Sequence, residues 1–213
     1  MQRILDIIFT SLAILILSPL LLVVVLILKF TGEGEIFYFQ ERVGKHQKTF
    51  KLFKFATMLK NSEFTGAGTV TLKNDSRVLP FGKFLRKTKI NELPQLLNII
   101  FGDMSIVGPR PLHEKQFSFY QDQDKQIISS VKPGLSGLAS IFFRDEEHIL
   151  STHKNPDELY KKEITPKKAL IEKWFVQNKG IYMYFKIICL TVLVIVYPKI
   201  NLLYFFPDLK LKD

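Results

Sequence analysis

The chain is poor in the residues that mark several common chemistries. It holds a single cysteine, Cys189, inside an apolar run. One cysteine excludes an intramolecular disulfide and a CxxC metal site, and the residue reads as a small buried or lipid-facing apolar side chain. The four histidines, His46, His113, His148 and His153, show no zinc-type spacing. There is no Walker phosphate loop and no GxGxxG stretch, so nucleotide binding of those two kinds is unsupported. Acid is short relative to base, with 20 Asp and Glu against 30 Lys and Arg and a net charge of +10. That imbalance favours anionic partners: nucleic acid, an acidic lipid surface or phosphorylated substrates. No recognised nucleic-acid-binding motif accompanies it, so nucleic acid is not an expected partner. Internal repeats and low-complexity tracts are also absent, and 213 residues suit one modest domain with membrane-associated elements.

What is present begins with Ile4 to Leu28, nearly continuous apolar sequence broken by Asp6, Thr10, Ser11, Ser18 and Pro19. As a helix it would reach about 37 Å at ~1.5 Å per residue, enough to span a bilayer. No small-x-small site precedes the polar Lys29-Phe30-Thr31-Gly32-Glu33, so a cleaved signal peptide is not expected. Pro19 removes a backbone donor, and the Ser18 hydroxyl can bond the carbonyl so freed, which makes a bend tolerable in lipid. A kinked spanning helix and a hairpin that dips in and returns both fit. The cations at the two ends, Arg3 and Lys29, orient neither strongly. A second apolar run, Ile181 to Tyr197, suits a core strand, a core helix or an interfacial segment. The aromatic stretch Leu202 to Phe206 suits core packing or the bilayer surface.

Between these ends, Ile36 to Phe39 and Phe50 to Phe55 read as paired strands, with Arg42-Val43-Gly44-Lys45 as a basic turn. Asn61 to Asn74 reads as a loop. Phe81, Phe84 and Leu85 fall on one helical face beside Lys83, Arg86 and Lys87, a pattern for a headgroup-level helix or an ordinary core-covering one.

The most informative stretch is Asn91-Glu92-Leu93-Pro94-Gln95, followed by Gly102-Asp103-Met104-Ser105 and Val107-Gly108-Pro109-Arg110-Pro111. Leu93, Leu96, Leu97 and Ile100 form a helical stripe ending before Gly102. Pro94 then belongs in the first turn, with Asn91 at or near the N-cap and Glu92 in the first turn. A helix start favours anions, yet plain capping by Asn91 and a dipole-facing Glu92 account for the same residues. Arg110, between two prolines, is a preoriented guanidinium able to hold phosphate through two hydrogen bonds, or part of a rigid surface turn. Asp75 and Arg77 suit a further polar pair.

Taken in order, these motifs resemble the bacterial sugar transferases that are monotopic polyprenyl-phosphate phosphoglycosyl transferases. The resemblance rests on Arg3 and Asp6 before the apolar segment, Ser18-Pro19 within it, Gln40-Glu41-Arg42-Val43-Gly44, and Lys54-Phe55-Ala56-Thr57-Met58. It continues through Asp75-Ser76-Arg77, Gly82 to Lys87, the block from Glu92 to Pro111, Lys132 to Gly137 and Asn155-Pro156. It implies an α/β (α+β, mostly helical) fold. A re-entrant helix-break-helix bent at Ser18 and Pro19 (residues 1–30) would pack with a small cytoplasmic transferase domain (residues 31–213) bearing amphipathic interfacial helices. It also implies the cytoplasmic face of a bacterial inner membrane, contact with inner-leaflet phospholipid, and Mg²⁺-dependent transfer of a phosphosugar. The donor would be a UDP-sugar and the acceptor polyprenyl phosphate, giving polyprenyl-diphosphate-sugar and UMP, with downstream glycosyltransferases as further partners. The implied catalytic and metal-holding pair is Asn91 and Glu92; Arg110, Arg86, Lys54, Asp75 and Arg77 are the implied substrate- and phosphate-binding set. Asn91 stands where the family has Asp, the nucleophile. That departure admits transfer through Glu92, or a catalytically impaired homologue or inactivated variant that binds UDP-sugar or scaffolds. Ala56 replaces a usual Arg. Leu138 to Ile141 replace a Trp-containing run, with Arg144 as a partial stand-in.

Overall fold

The computed structural model describes residues 1–62, 75–153 and 155–209. Its helices and two small sheets form two compact units. The first comprises Ile7–Glu41 and Lys51–Phe101; the second comprises Met1–Asp6, Arg42–Phe50 and the chain from Gly102 on.

The opening apolar sequence is one helix, α1 (Gln2–Phe30), helical through Pro19. Among the described residues it is the one helix long and apolar enough to cross a membrane. Pro19 cannot donate to the carbonyl of Leu15, and the Ser18 hydroxyl donates to that oxygen instead, at 2.8 Å. Val24 and Leu28 pack with Phe55 and Leu85, while Leu15, Ile16, Leu22 and Val23 lie exposed.

Strands β1 (Phe37–Val43) and β2 (Thr49–Phe55) pair. The short link between them admits only an antiparallel hairpin. Cross-strand rings meet at Phe37 and Phe55 (5.7 Å) and at Phe39 and Phe53 (5.0 Å), the kind of pairing that fixes register. The first strand runs further than its sequence suggests: Arg42 and Val43, expected in the turn, are strand. The turn falls at 44–48, where the Gly44 amide donates to the Lys48 carbonyl at 2.9 Å and His46 and Gln47 take positive φ. Of the expected loop from Asn61 to Asn74, residues 63–74 lie outside the described residues.

Helix α2 (Pro80–Lys87) starts on proline, which suits the first position. Its expected apolar face is split. Leu85 is buried but Phe84 is 53% exposed beside Lys83 and Lys87. Gly82 sets this rotation: a Cβ there would stand 2.2 Å from the Thr57 carbonyl oxygen, so the helix presses its Gly82–Leu85 side inward and turns Phe84 out. Helix α3 (Gln95–Phe101) buries Gln95, Leu96, Asn98 and Ile99. Only Leu96 of the expected stripe is fully buried. Asn98 displaces the rest because its amide continues the sheet edge: its Oδ1 accepts from Phe53 N–H at 2.9 Å and its Nδ2 donates to Lys51 O at 2.8 Å.

In the second unit, β3 (Ser105–Val107) lies parallel to β4 (Gly134–Ser136), Ser105 opposite Gly134. The crossover carries α4 (Glu114–Phe117) and α5 (Asp122–Ile128). Short helices α6 (Leu138–Phe142), α7 (Glu146–Thr152) and α8 (Pro156–Leu159) follow, and a π-helical turn, Tyr160–Ile164, leads into α9 (Thr165–Gln177). Val43, Leu112, Phe117, Tyr120, Ile128 and Ala169 make a core. The second apolar run is a helix, α10 (Ile181–Val196). It buries Met183, Tyr184, Ile187, Leu190 and Val194 and exposes Tyr182 and Ile195. The exposed Cys189 adds to its open side. In the terminal aromatic stretch Leu202 and Phe206 are buried, whereas Leu203 and Tyr204 are exposed. The first turn of α1 belongs here: Asp6 Oδ1 accepts from the Ile106 amide (3.1 Å) and the Tyr184 hydroxyl (3.0 Å), and Gln2 Nε2 donates to Ser105 Oγ (2.9 Å).

Candidate active site

Asn91 does not cap α3. Lys89 takes a left-handed backbone (φ 60°), and a 3₁₀ turn, Ile90–Glu92, follows at once. The Glu92 amide donates to Lys89 O and the Leu93 amide to Ile90 O, both at 3.0 Å. The helix begins only at Gln95, after Pro94. The tight turn thus uses the chain that an earlier helix start would have needed. It leaves Asn91 buried, its Oδ1 without a hydrogen-bond partner. A buried amide oxygen with no donor is costly, so an incoming cation or hydrogen-bond donor would gain by meeting it. Glu92, next in the chain, is half-buried.

No cluster of three or more His, Cys, Asp or Glu able to hold a metal occurs among the described residues. Mg²⁺ does not require one. It favours hard oxygen ligands, keeps several waters and is commonly held by one or two carboxylates plus substrate phosphates. The Glu92 carboxylate and the unpartnered Asn91 oxygen are donors of that kind, so the residues present fit this ion.

The first unit also holds four more of the expected binding residues. Arg86, on α2, donates from Nε to Thr57 Oγ1 at 3.0 Å and approaches Met58 Sδ at 3.7 Å. The Ile90–Glu92 turn packs against α2. Lys54, on β2, reaches Gln40 Oε1 at 3.4 Å. Asp75 and Arg77 form the expected polar pair: Nε donates to Oδ1 at 2.9 Å, Nη2 to Oδ2 at 2.6 Å, and Nη1 to the Ser62 carbonyl at 2.6 Å. The Arg77 bond to the Ser62 carbonyl joins the residues on either side of 63–74. Ala56, standing where an Arg is usual, is buried and its amide donates to Ile36 O.

Arg110 belongs to the second unit and is exposed. The backbone beneath it is packed glycine on glycine. A Cβ on Gly134 would lie 2.1 Å from Gly108 N, and one on Gly137 would lie 2.3 Å from Gly108 O. Only glycine allows β3, β4 and the Pro109-Arg110-Pro111 turn to approach so closely. The Arg110 amide donates to Glu172 Oε1 at 3.4 Å. Glu172 is 3% exposed, and its Oε2 has no partner. Burial pushes this carboxyl up to about 7, against the opposing pull of the Arg110 amide and Lys168. Arg144, the stand-in suggested by sequence, donates to the Pro198 carbonyl and lies 3.6 Å from Asp145; it anchors the segment after α10.

Asn98, Thr57 and Glu172 were not among the expected site residues. No spacing rule singles out any of them. Asp6 did carry a signal, since a carboxylate within an apolar segment needs a partner, and Tyr184 and Ile106 provide one.

Comparison with known proteins agrees with the motif order. The bacterial sugar transferase family matches residues 1–198. The exopolysaccharide production protein ExoY of Sinorhizobium fredii is 41% identical over 159 residues, 68% of this chain and 70% of that protein. The UDP-glucose:undecaprenyl-phosphate glucose-1-phosphate transferase of Klebsiella pneumoniae is 38% identical over 197 residues, 90% of this chain and 39% of that protein. The undecaprenyl-phosphate galactose phosphotransferase of Salmonella typhimurium is 36% identical over 161 residues, 68% of this chain and 33% of that protein. The chain thus spans well under half the length of the latter two relatives. The match extends from the first turn of the apolar helix past the end of α10, and the chain belongs to the bacterial sugar transferase family.

Proposed function

We propose that this sugar transferase moves a phosphosugar from a UDP-sugar to a polyprenyl phosphate, releasing UMP and leaving the polyprenyl-diphosphate-sugar that begins a glycan. The observation that carries the site assignment is the pairing, on one tight turn, of a half-buried carboxylate, Glu92, with a buried amide oxygen that has no donor, Asn91. Family membership and the names of the Klebsiella and Salmonella relatives support the reaction class.

In this reading a Glu92 oxygen attacks the sugar-bearing phosphorus. The bond from that phosphorus to the bridging oxygen breaks, and UMP leaves with the electron pair. A phosphate oxygen of the polyprenyl phosphate then attacks the same phosphorus and displaces Glu92. Phosphoryl transfer of this kind depends chiefly on positioning and on neutralising charge. Mg²⁺, held by Glu92 and Asn91 Oδ1 with the substrate, would supply that neutralisation. Arg110 holds diphosphate oxygens through its fork of donors. Arg86 and Lys54 add positive charge in the unit that carries Glu92.

We further place the protein on the cytoplasmic face of the membrane, with α1 entering the bilayer and returning. Support comes from the middle of that helix. The Ser18 hydroxyl on the freed Leu15 carbonyl lets a proline sit in lipid without an orphaned acceptor.

The test is UMP release from UDP-sugars with polyprenyl phosphate and Mg²⁺, using the chain beside Asn91→Asp and Glu92→Gln. Glu92→Gln, which removes the nucleophile, should lose on the order of 10⁶-fold, and Asn91→Asp should raise the rate by adding a second carboxylate. A phosphosugar adduct on Glu92 should appear by intact mass. An active Glu92→Gln variant would sink the assignment.

A further inference from the structure

The second unit holds a buried acid with no place in the reaction just described. Glu172 sits on α9 with one oxygen on the Arg110 amide and the other unpartnered. Glu172 lines a cavity of about 20 Å³ together with Gly44, Arg110, Tyr120 and Ser129 among others. That is room for roughly one water. An apolar residue would fill such a place at no electrostatic penalty, whereas a buried carboxyl is tolerated only where its bonds have a use. The bond it makes is to the one residue of the Pro109-Arg110-Pro111 turn that has a backbone N–H to give.

We propose that Glu172 is a positioning residue: through Oε1 it fixes the backbone of Arg110, and so the direction in which the guanidinium meets the substrate diphosphate. The two prolines leave the turn little freedom, and the Gly108, Gly134 and Gly137 contacts hold its base. The Glu172 bond adds a restraint on the Arg110 amide itself. The role of the diphosphate in this inference rests on the UDP-sugar reading above; the restraint on the Arg110 amide does not.

The charged and titratable groups around Glu172 come from several elements. Lys168 lies one turn earlier on α9 and is paired with Glu146 of α7. Arg110 comes from the turn, Tyr120 from the segment before α5, and Asp124 from α5, where it pairs with Lys173 at 2.7 Å. Tyr160 lies beneath the Lys168 ammonium, 5.2 Å from ring centre to nitrogen, and Arg42 lies near Tyr160. Lys168, Glu146, Asp124 and Lys173 are thus committed to one another in pairs. Because Glu172 itself titrates near 7, its strength as an acceptor changes across neutral pH. The ionised form, dominant above that pH, makes the stronger bond to the amide.

Two measurements on the full chain decide the matter, using Glu172→Gln, which keeps an acceptor without a charge, and Glu172→Ala, which removes it. Hydrogen exchange at the Arg110 amide should accelerate about tenfold in Glu172→Ala and stay slow in Glu172→Gln, as expected for one lost hydrogen bond. Binding of UDP-glucose with Mg²⁺ should tighten several-fold from pH 6 to pH 8 in the wild type, show no such step in Glu172→Gln, and be weakest in Glu172→Ala. Equal Arg110 exchange in wild type and Glu172→Ala would overturn the inference. So would an unchanged pH step in Glu172→Gln. Normal exchange changes with no UDP-glucose binding by any form would instead overturn the UDP-sugar reading and leave the restraint on Arg110 standing.

Discussion

Arg110 presents its guanidinium to solvent from a turn whose backbone is restrained on every side, so its replacement separates charge from shape. Lysine keeps the charge but loses the planar fork. If the fork holds diphosphate oxygens, Arg110→Lys should raise the KM for UDP-sugar on the order of 10 to 10²-fold, the range of a charge-assisted bond of about 1.5–3 kcal/mol. Arg110→Ala should do worse. Glu172 makes a separate prediction about stability. Its folded-state value is about 7 against an ordinary 4.5, so the folded protein holds this proton more tightly than the unfolded chain. This contribution to stability is fully present below pH 4.5 and is lost as pH rises through 7. Glu172→Gln removes the titration. It should match the wild type at about pH 4 and exceed it above pH 8 by roughly 3 kcal/mol, a shift of about 2.5 pH units converted at ~1.36 kcal/mol each. Denaturant melts at the two pH values check it. A variant less stable than wild type at both would show that the carboxyl's hydrogen bond outweighs its desolvation.

At the scale of elements, polar residues decide what hydrophobic spacing alone does not. Leu93, Leu96, Leu97 and Ile100 announce a helix here, and a helix is present, but its inner face is set by Asn98. Asn98→Ala should destabilise by about 2–4 kcal/mol, because it leaves Phe53 N–H and Lys51 O without their partner in a site fully closed to water. Asn98→Asp should also destabilise, since a carboxylate can accept from Phe53 but cannot donate to Lys51. Thermal melts in detergent read both. Gly134→Ala should be more damaging, because its methyl would strike Gly108 N across the parallel pair. UMP release should fall with stability, as β3 and β4 can no longer support the Arg110 turn. The same contrast explains what was legible beforehand. The apolar helix, the aromatic hairpin and the prolines flanking Arg110 follow from local spacing and fixed dihedrals. The rotation of α2, the 3₁₀ turn before α3 and the burial of Glu172 depend on contacts distant in sequence: Gly82 with Thr57, Asn98 with Lys51 and Phe53, Glu172 with Arg110. The hairpin turn starts two residues later than composition suggests, because strand length is set by pairing across to Thr49–Phe55, which composition at Arg42 and Val43 does not reveal. Asn91 reads as a cap because Asn usually is one; that its Oδ1 has no hydrogen-bond partner is visible only in three dimensions.

For the whole molecule the decisive question is on which side of the membrane the first residues lie. A straight 29-residue α1 would be about 43 Å long at ~1.5 Å per residue and would put its two ends on opposite sides. A re-entrant α1 would instead keep both ends on one side, and the Ser18 hydroxyl on the Leu15 carbonyl would leave no orphaned acceptor at such a bend. Replacing Cys189 by Ser gives a background free of cysteine. A cysteine introduced ahead of Met1 and, separately, Gln47→Cys at the exposed hairpin turn can then be labelled with a membrane-impermeant maleimide. Both should react in inside-out vesicles and neither in intact spheroplasts. Pro19→Ala should straighten the helix, and Asp6→Leu should release its first turn. Together they should move a measurable fraction of the N-terminal cysteine to the outer face while Gln47→Cys stays inside. Reaction of the N-terminal cysteine from outside in the otherwise unaltered chain would mean that α1 spans the membrane.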